Sequence, residues 1–273
     1  LSYCAQQASG SWQWLIDVEH IEKAFVFAGM GARAGLAAAL MVEAGFRGVA
    51  DSLDHPGGWM RSGPYAGGDG DRAYLVEELG SRTELVHTAF KRYPVGGPTQ
   101  PSVEGLLGLL PQLAGREVES VRIAMPGRWR AFRDAAMPAL NLRYLTAIIL
   151  IDRRLDFVSA QSLERMRDDP AVQALMQRVE IAHDPAQEAP KGSPRTESAR
   201  VTVTLEGAEV REAYVPFVRG FPSHPMSAAD VEAKALELMA PRLGAARARR
   251  VVDHVAAIET MTRGGDLAGL IAA

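Results

Sequence analysis

The sequence predicts a mostly helical protein with an inserted α+β segment: an all-helical domain and a smaller lid domain carrying a short antiparallel sheet. Three observations predict it. Apolar residues recur at helical spacing near both ends of the chain. The clean period-two alternation is confined to the middle, in Glu117 to Met125, Arg200 to Leu205 and Val210 to Val215. Between the first helices and the first strand, Lys91 to Pro101 holds two glycines and three prolines in eleven residues, the composition of a rigid loop. Helices, a mixed segment, then helices again place the helical domain at 1–89, the α+β lid at 90–222 and the closing helical part at 223–273.

Taken in order, the run Leu36 to Gly45 is a helix rich in small residues, with Gly45 as its stop. Its alanines allow a neighbouring helix to come close. Residues 51–71 have loop composition and suit a flap over a cleft, and residues 72–80 are expected to form one more helix. Past the rigid loop, Val103, Leu106, Leu107 and Leu110 open a helix whose first turn accepts Pro101, because the missing N–H has no partner there in any case. A strand over 117–125 is followed by helices over 128–137, 139–153, 155–167 and 170–178. Asp184 to Ala199 has little to bury and is expected to be a mobile loop. A hairpin turning at Glu206-Gly207 comes next. Ser227-Ala228-Ala229-Asp230 has capping-box form and starts a helix to Ala240. A further helix runs from Ala245 to Thr262, ending at Gly264-Gly265.

Composition excludes several functions. Hydrophobic residues make up 47% and charged ones 23% of the 273 residues, ordinary values for a globular protein. A net charge of −3 with interspersed signs advertises no surface for nucleic acid. The longest apolar run, near 145–151, is too short to span a bilayer. One cysteine, Cys4, rules out an internal disulfide and fits a cytoplasmic setting. No Cys/His spacing suggests a metal, and Gly29 and Gly31 lack the preceding strand of a dinucleotide fingerprint. No metal and no organic cofactor are expected.

The loop at 91–101 is also the main candidate site. Its glycines Gly96 and Gly97 and the helix start beyond them offer backbone N–H groups which, with Lys91, can converge on a carboxylate. A lysine beside a second cation and a helix N-terminus has a lowered proton affinity, suited to proton transfer; the alternative is a hinge lysine that only caps or pairs. Lys23 heads a Phe/Gly/Ala stretch and alternatively pairs with Glu19 one turn back. Arg33 offers a bidentate grip on a carboxylate or is a surface arginine. His20, His55 and His224 occupy loops or helix ends.

The segment Ala89-Phe90-Lys91-Arg92-Tyr93-Pro94, with the small-residue turn and apolar helix after it, resembles the hinge lysine motif of the MmgE/PrpD family, which includes 2-methylcitrate dehydratase, cis-aconitate decarboxylase and iminodisuccinate epimerase. The Lys23 stretch is similar to a second family motif, and Asn141-Leu142-Arg143-Tyr144 to a third, in which a tyrosine lines the substrate cleft and Asn141 stands in place of serine. The resemblance implies roles for Lys91, Lys23 and Tyr144, which are expected to be catalytic; from the residues themselves, Arg33, Gly96, Gly97 and His20 are expected to bind the substrate. For Tyr144 a place in an apolar core is the competing reading. Gly96 occupies the position of a histidine in the decarboxylases, so decarboxylation is not implied. Family members carry further histidines in an N-terminal helical portion that precedes anything resembling Leu1. The implied protein is a cofactor-independent dehydratase of a small polycarboxylate or hydroxy acid, with an epimerase as the alternative, working as a homodimer or with a partner that supplies the N-terminal portion. A non-catalytic relative is the reading from another class.

Overall fold

The computed structural model describes Cys4, Asp17, Val18 and residues 25–53, 55–61, 73–190 and 197–272. The chain forms two compact units, residues 1–83 and 84–273.

In the first unit, helix α1 covers Phe25–Glu43, starting well before the expected Leu36. It ends at Gly45, whose φ of +89° is the left-handed stop that a residue without a Cβ adopts readily. Leu36, Leu40 and Val42 are exposed, and among the described residues nothing lies within 4 Å of where a Cβ on Gly29, Gly31 or Gly35 would stand. The stretch expected as a helix over 72–80 is, within the described residues, a 3-10 turn at Ala73–Leu75 followed by turns, with Glu78 and Gly80 both at positive φ. Residues 54 and 62–71 of the expected flap, and residue 72 of the expected helix, lie outside the described residues.

The second unit is built on a four-stranded sheet. Helix α2 (Gln100–Leu109) precedes β1 (Val118–Met125); α3 (Arg130–Arg133), α4 (Leu142–Asp152), α5 (Phe157–Gln161), α6 (Leu163–Asp168) and α7 (Pro170–Met176) lead to β2 (Val179–His183). The hairpin β3 (Ala199–Leu205) and β4 (Glu209–Val215) follows, then α8 (Ala228–Leu243), α9 (Ala245–Ala256) and α10 (Gly264–Ile271). The strand order is β2-β1-β3-β4, with β1 and β2 parallel and the other neighbours antiparallel. The sheet is therefore mixed, where an antiparallel one was expected. Strand β2 is short and follows a helix after only a two-residue turn, and only pairing with β1 makes it a strand; five helices fill the crossover that a parallel pair requires.

One face of the sheet is dry. Ala199, Val201, Val203 and Leu205 are buried on alternate positions of β3, and α2 lies over β3 and β4. A Cβ on Gly105 of α2 would stand 3.2 Å from Val201 Cγ2, so that helix sits as close as a glycine permits. Helix α4 reaches β2 and touches α2. Tyr144, Leu145, Ile148 and Ile149 of α4 are fully buried in the same core as Val103, Leu106 and Leu109 of α2. The other face is wet, with Arg200 paired to Glu212 at 2.5 Å and stacked on the Tyr214 ring.

Local chemistry accounts for the helix ends. Asn141 caps α4 by accepting from Tyr144 N at 3.0 Å, Asp156 and Ser159 form a capping box on α5, and Ser227 with Asp230 forms the expected one on α8. Helix α8 runs through Pro241 to Leu243 instead of ending at Ala240. Gly264, expected to stop a helix, begins α10. The Asp184 to Ala199 segment buries more than its composition suggests. Gln187 donates to Ala124 O at 2.9 Å and accepts from Ser198 Oγ at 2.8 Å, which pins both ends; residues 191–196 lie outside the described residues.

Candidate functional site

The second unit contains a hinge at which two strands of chain lie side by side. Phe90 N–H donates to Gly220 O at 2.7 Å, and Gly220 N–H donates to His224 O at 2.8 Å. A Cβ on Gly220 would stand 1.9 Å from Phe90 O, and its φ of +99° disfavours any side chain, so glycine is required twice over.

Beyond Phe90 the loop is held by buried hydrogen bonds. Gln100 is fully buried; it accepts from Tyr93 N at 3.0 Å and donates to Tyr93 O at 2.8 Å and Val95 O at 3.1 Å. Gln161 donates to Pro94 O at 2.7 Å. The glycines do not form an open anion cradle. Gly96 is buried, its N–H donates to Ala139 O at 3.0 Å, and it packs against the Leu140 side chain. Over Gly97 stands the chain's own buried carboxylate, Glu197, with Oε1 3.9 Å from where a Cβ would lie.

Lys91 faces outward from this loop. Its side chain is exposed as a whole, yet burial of its surroundings lowers the ammonium's pKa below the ordinary lysine value. No carboxylate is within ion-pair distance of it among the described residues. The neighbouring groups come from α8, where Asp230, Lys234 and Glu237 recur at helical spacing. Asp230 pairs with Arg219 at 2.7 Å, Lys234 Nζ donates to Lys91 O, and Glu237 lies 3.7 Å from Arg92. Burial, then the charges of Arg92 and Lys91, lowers the Lys234 pKa, and Glu237 opposes this. Glu104 accepts from Arg219 N at 3.0 Å, and together with burial it raises the Tyr93 pKa. The Lys234 contact is not evident from motifs; the 230, 234, 237 spacing on one helix face is the only sequence signal for it.

A groove of about 510 Å³ runs beside the hinge, lined by Arg92, Tyr93, Leu107, Leu110, Arg153 and Glu237 among others. A second, of about 670 Å³, lies between α9 and α10 and contains none of the expected site residues.

The remaining expected residues are placed elsewhere. Tyr144 is fully buried, its hydroxyl donates to Ser159 O at 2.6 Å, and burial pushes its pKa up to about 12. Its geometry is that of a core residue tying α4 to α5, because the helix period that makes it resemble a cleft residue equally turns it inward. Arg33 is exposed on α1 of the first unit, with no ion pair among the described residues. Lys23 and His20 lie outside the described residues. His224 N–H donates to Phe221 O at 2.8 Å at the hinge. Among the described residues no three of His, Cys, Asp and Glu are grouped to hold a metal ion, and no helix is long and apolar enough to cross a membrane.

Fold and hinge define a mostly helical protein with a small mixed-sheet domain and a lysine-bearing chain crossing. Residues 93–260, more than half of the chain, match the MmgE/PrpD C-terminal domain, and the chain belongs to the MmgE/PrpD family. The match begins two residues after Lys91 and includes Tyr144, the sheet, α8 and Lys234. No curated protein matches the chain.

Proposed function

We propose that the protein is a cofactor-independent lyase of the dehydratase type, acting on a small polycarboxylate or hydroxy acid. Membership of a family that includes dehydratases supports the reaction class. The observation that carries the site is Lys91: an ammonium with lowered pKa, next to cations and without a carboxylate partner among the described residues. In the proposed reaction a base removes the proton next to a carboxylate, negative charge builds on the carboxylate oxygens, and the β-hydroxyl departs with a proton as water. Lys91 stabilises the developing charge, since a carboxylate-derived enolate is too unstable to form without a fixed cation. Reprotonation of the same intermediate on its opposite face gives an epimerase, the related outcome.

A screen of citrate-like and hydroxy acids, following the new C=C bond by ultraviolet absorbance, tests this with wild type and Lys91→Ala. Turnover by wild type and a loss of about a hundredfold or more in the variant are expected. Equal turnover by the two proteins overturns the role of Lys91.

A second reading, a protein that works with a partner, is favoured by α1, whose Leu36, Leu40 and Val42 are exposed beside glycines that, among the described residues, have open space around them. Light scattering tests it: a particle mass that is a multiple of the single-chain mass supports association, and a particle of one chain speaks against a homodimer.

A further inference from the structure

We propose that the groove beside the hinge is a binding site, separate from Lys91, for a small carboxylate with an apolar body, its anionic end held by Arg153. The inference stands apart from the proposed reaction: Lys91 does not line this groove, and either reading survives the loss of the other.

The groove, of about 510 Å³, lies where three segments of the second unit meet: the loop after the hinge, the end of α2 and the end of α4. Its volume is that of a small-molecule site. Leu107, Leu110 and Leu155, with Tyr93, give it apolar surface, and its charged groups are unequal, Arg92, Arg153 and Arg154 against Glu237 alone. Arg154 pairs with Asp156 at 3.3 Å, and Glu237 stands 3.7 Å from Arg92, longer than a charge-assisted hydrogen bond. Arg153 has no carboxylate within ion-pair distance among the described residues. Its guanidinium donates to Leu110 O, which ties the end of α4 to the end of α2 and fixes the group at the groove. A neutral carbonyl takes up part of the donor fork and none of the charge. The backbone of Arg153 is at φ +59°, a left-handed position just past α4 that glycine adopts without strain. An arginine there gives up stability for a guanidinium at this place. A fixed guanidinium beside leucines suits a carboxylate whose remainder is hydrocarbon or aryl. The walls are fixed as well, since Gln100 donates to Tyr93 O at 2.8 Å and Gln161 to Pro94 O at 2.7 Å, so a ligand has little left to order.

The alternative is that Arg153 only caps the carbonyls at the end of α2. Arg153→Gly removes the guanidinium at a position that glycine accepts, and Arg153→Lys keeps a charge there. Binding of 4-phenylbutyrate, its uncharged amide and acetate is followed by NMR chemical-shift titration for wild type, both Arg153 variants and Lys91→Met, with thermal melts to show that each is folded. The inference expects wild type to bind 4-phenylbutyrate at least about tenfold more tightly than the amide or acetate, because each of those lacks one of the two contacts. Arg153→Gly should weaken 4-phenylbutyrate by about tenfold, Arg153→Lys should recover part of that loss, and Lys91→Met should change it by no more than about twofold. Wild type that does not bind 4-phenylbutyrate, or binds the amide as tightly, overturns the inference. A folded Arg153→Gly that binds as well as wild type assigns Arg153 to capping and overturns it too. A loss in Lys91→Met equal to that in Arg153→Gly places the carboxylate at the hinge lysine and overturns the separate site while the Lys91 reading stands.

Discussion

Replacing Gln100 by leucine, which is close in size and removes every polar atom of the amide, tests how the candidate lysine is held. The side chain is fully buried and makes three hydrogen bonds, to Tyr93 N, Tyr93 O and Val95 O, at 3.0, 2.8 and 3.1 Å. Each is worth about 1 kcal/mol net, and a buried backbone group left unpaired adds to that, so the variant should lose about 2–4 kcal/mol. For a unit of the size of 84–273, each kcal/mol lowers the melting temperature by about 2–4 °C, giving a drop of roughly 5–15 °C. Urea unfolding should show the midpoint falling at unchanged slope, the sign of lost native stability rather than a changed unfolded state. Because Tyr93 is two residues from Lys91, carboxylate binding should weaken as well. A loss below about 1 kcal/mol would refute the claim that Gln100 holds the loop. Gln100→Glu provides a control with a defined sign. Its carboxylate keeps the bond from Tyr93 N–H but faces two carbonyl oxygens, so its folded pKa is raised above the unfolded value near 4.3. The penalty should then grow as pH rises through that window and shrink as acid restores a donor.

Gly220→Ala should be destabilising by more than about 2 kcal/mol, since its Cβ meets a backbone carbonyl and its φ is positive; urea unfolding checks this, and a loss of under 1 kcal/mol would mean that the hinge strands separate easily. Acid should destabilise the second unit through Glu209, held below the usual carboxylate range by Arg116 and Arg211, and Asp230, held there by Ser227 and Arg219. Their folded pKa values are depressed, so their contribution is present above about pH 4 and lost as pH falls through the folded values; Glu209→Gln should flatten this acid limb in denaturant midpoints measured against pH. Carboxylate affinity should fall on the alkaline side as the Lys91 ammonium deprotonates. With Lys91 lowered by burial, the midpoint should lie below the ordinary lysine value of about 10.4, as a titration of succinate binding against pH will show.

The legible parts of this chain are those governed by neighbours in sequence. The Arg200 to Val215 hairpin follows from alternation and a glycine turn, the start of α8 from a capping box, and the stop of α1 from Gly45. The parallel strand β2 is not legible, because Val179 to His183 follows a helix after only a two-residue turn and becomes a strand by pairing with residues more than fifty positions earlier. Gly96 and Gly97 show the same limit at the site. As composition they suggest an open cradle for an anion, whereas Ala139, Leu140 and Glu197 already occupy their surroundings.

By itself the sequence determined the mostly helical class with its sheet-bearing segment, the rigid loop after Lys91 and the family motif in that loop, since backbone propensity, turn chemistry and hydrophobic period act over a few residues. The tertiary structure alone decided that Tyr144 points into the core, that Gln100 fastens the loop from within, and that Lys234 meets Lys91 across more than a hundred residues of chain. Helical spacing identifies which residues share a face, but what that face touches depends on how the elements pack to bury apolar surface.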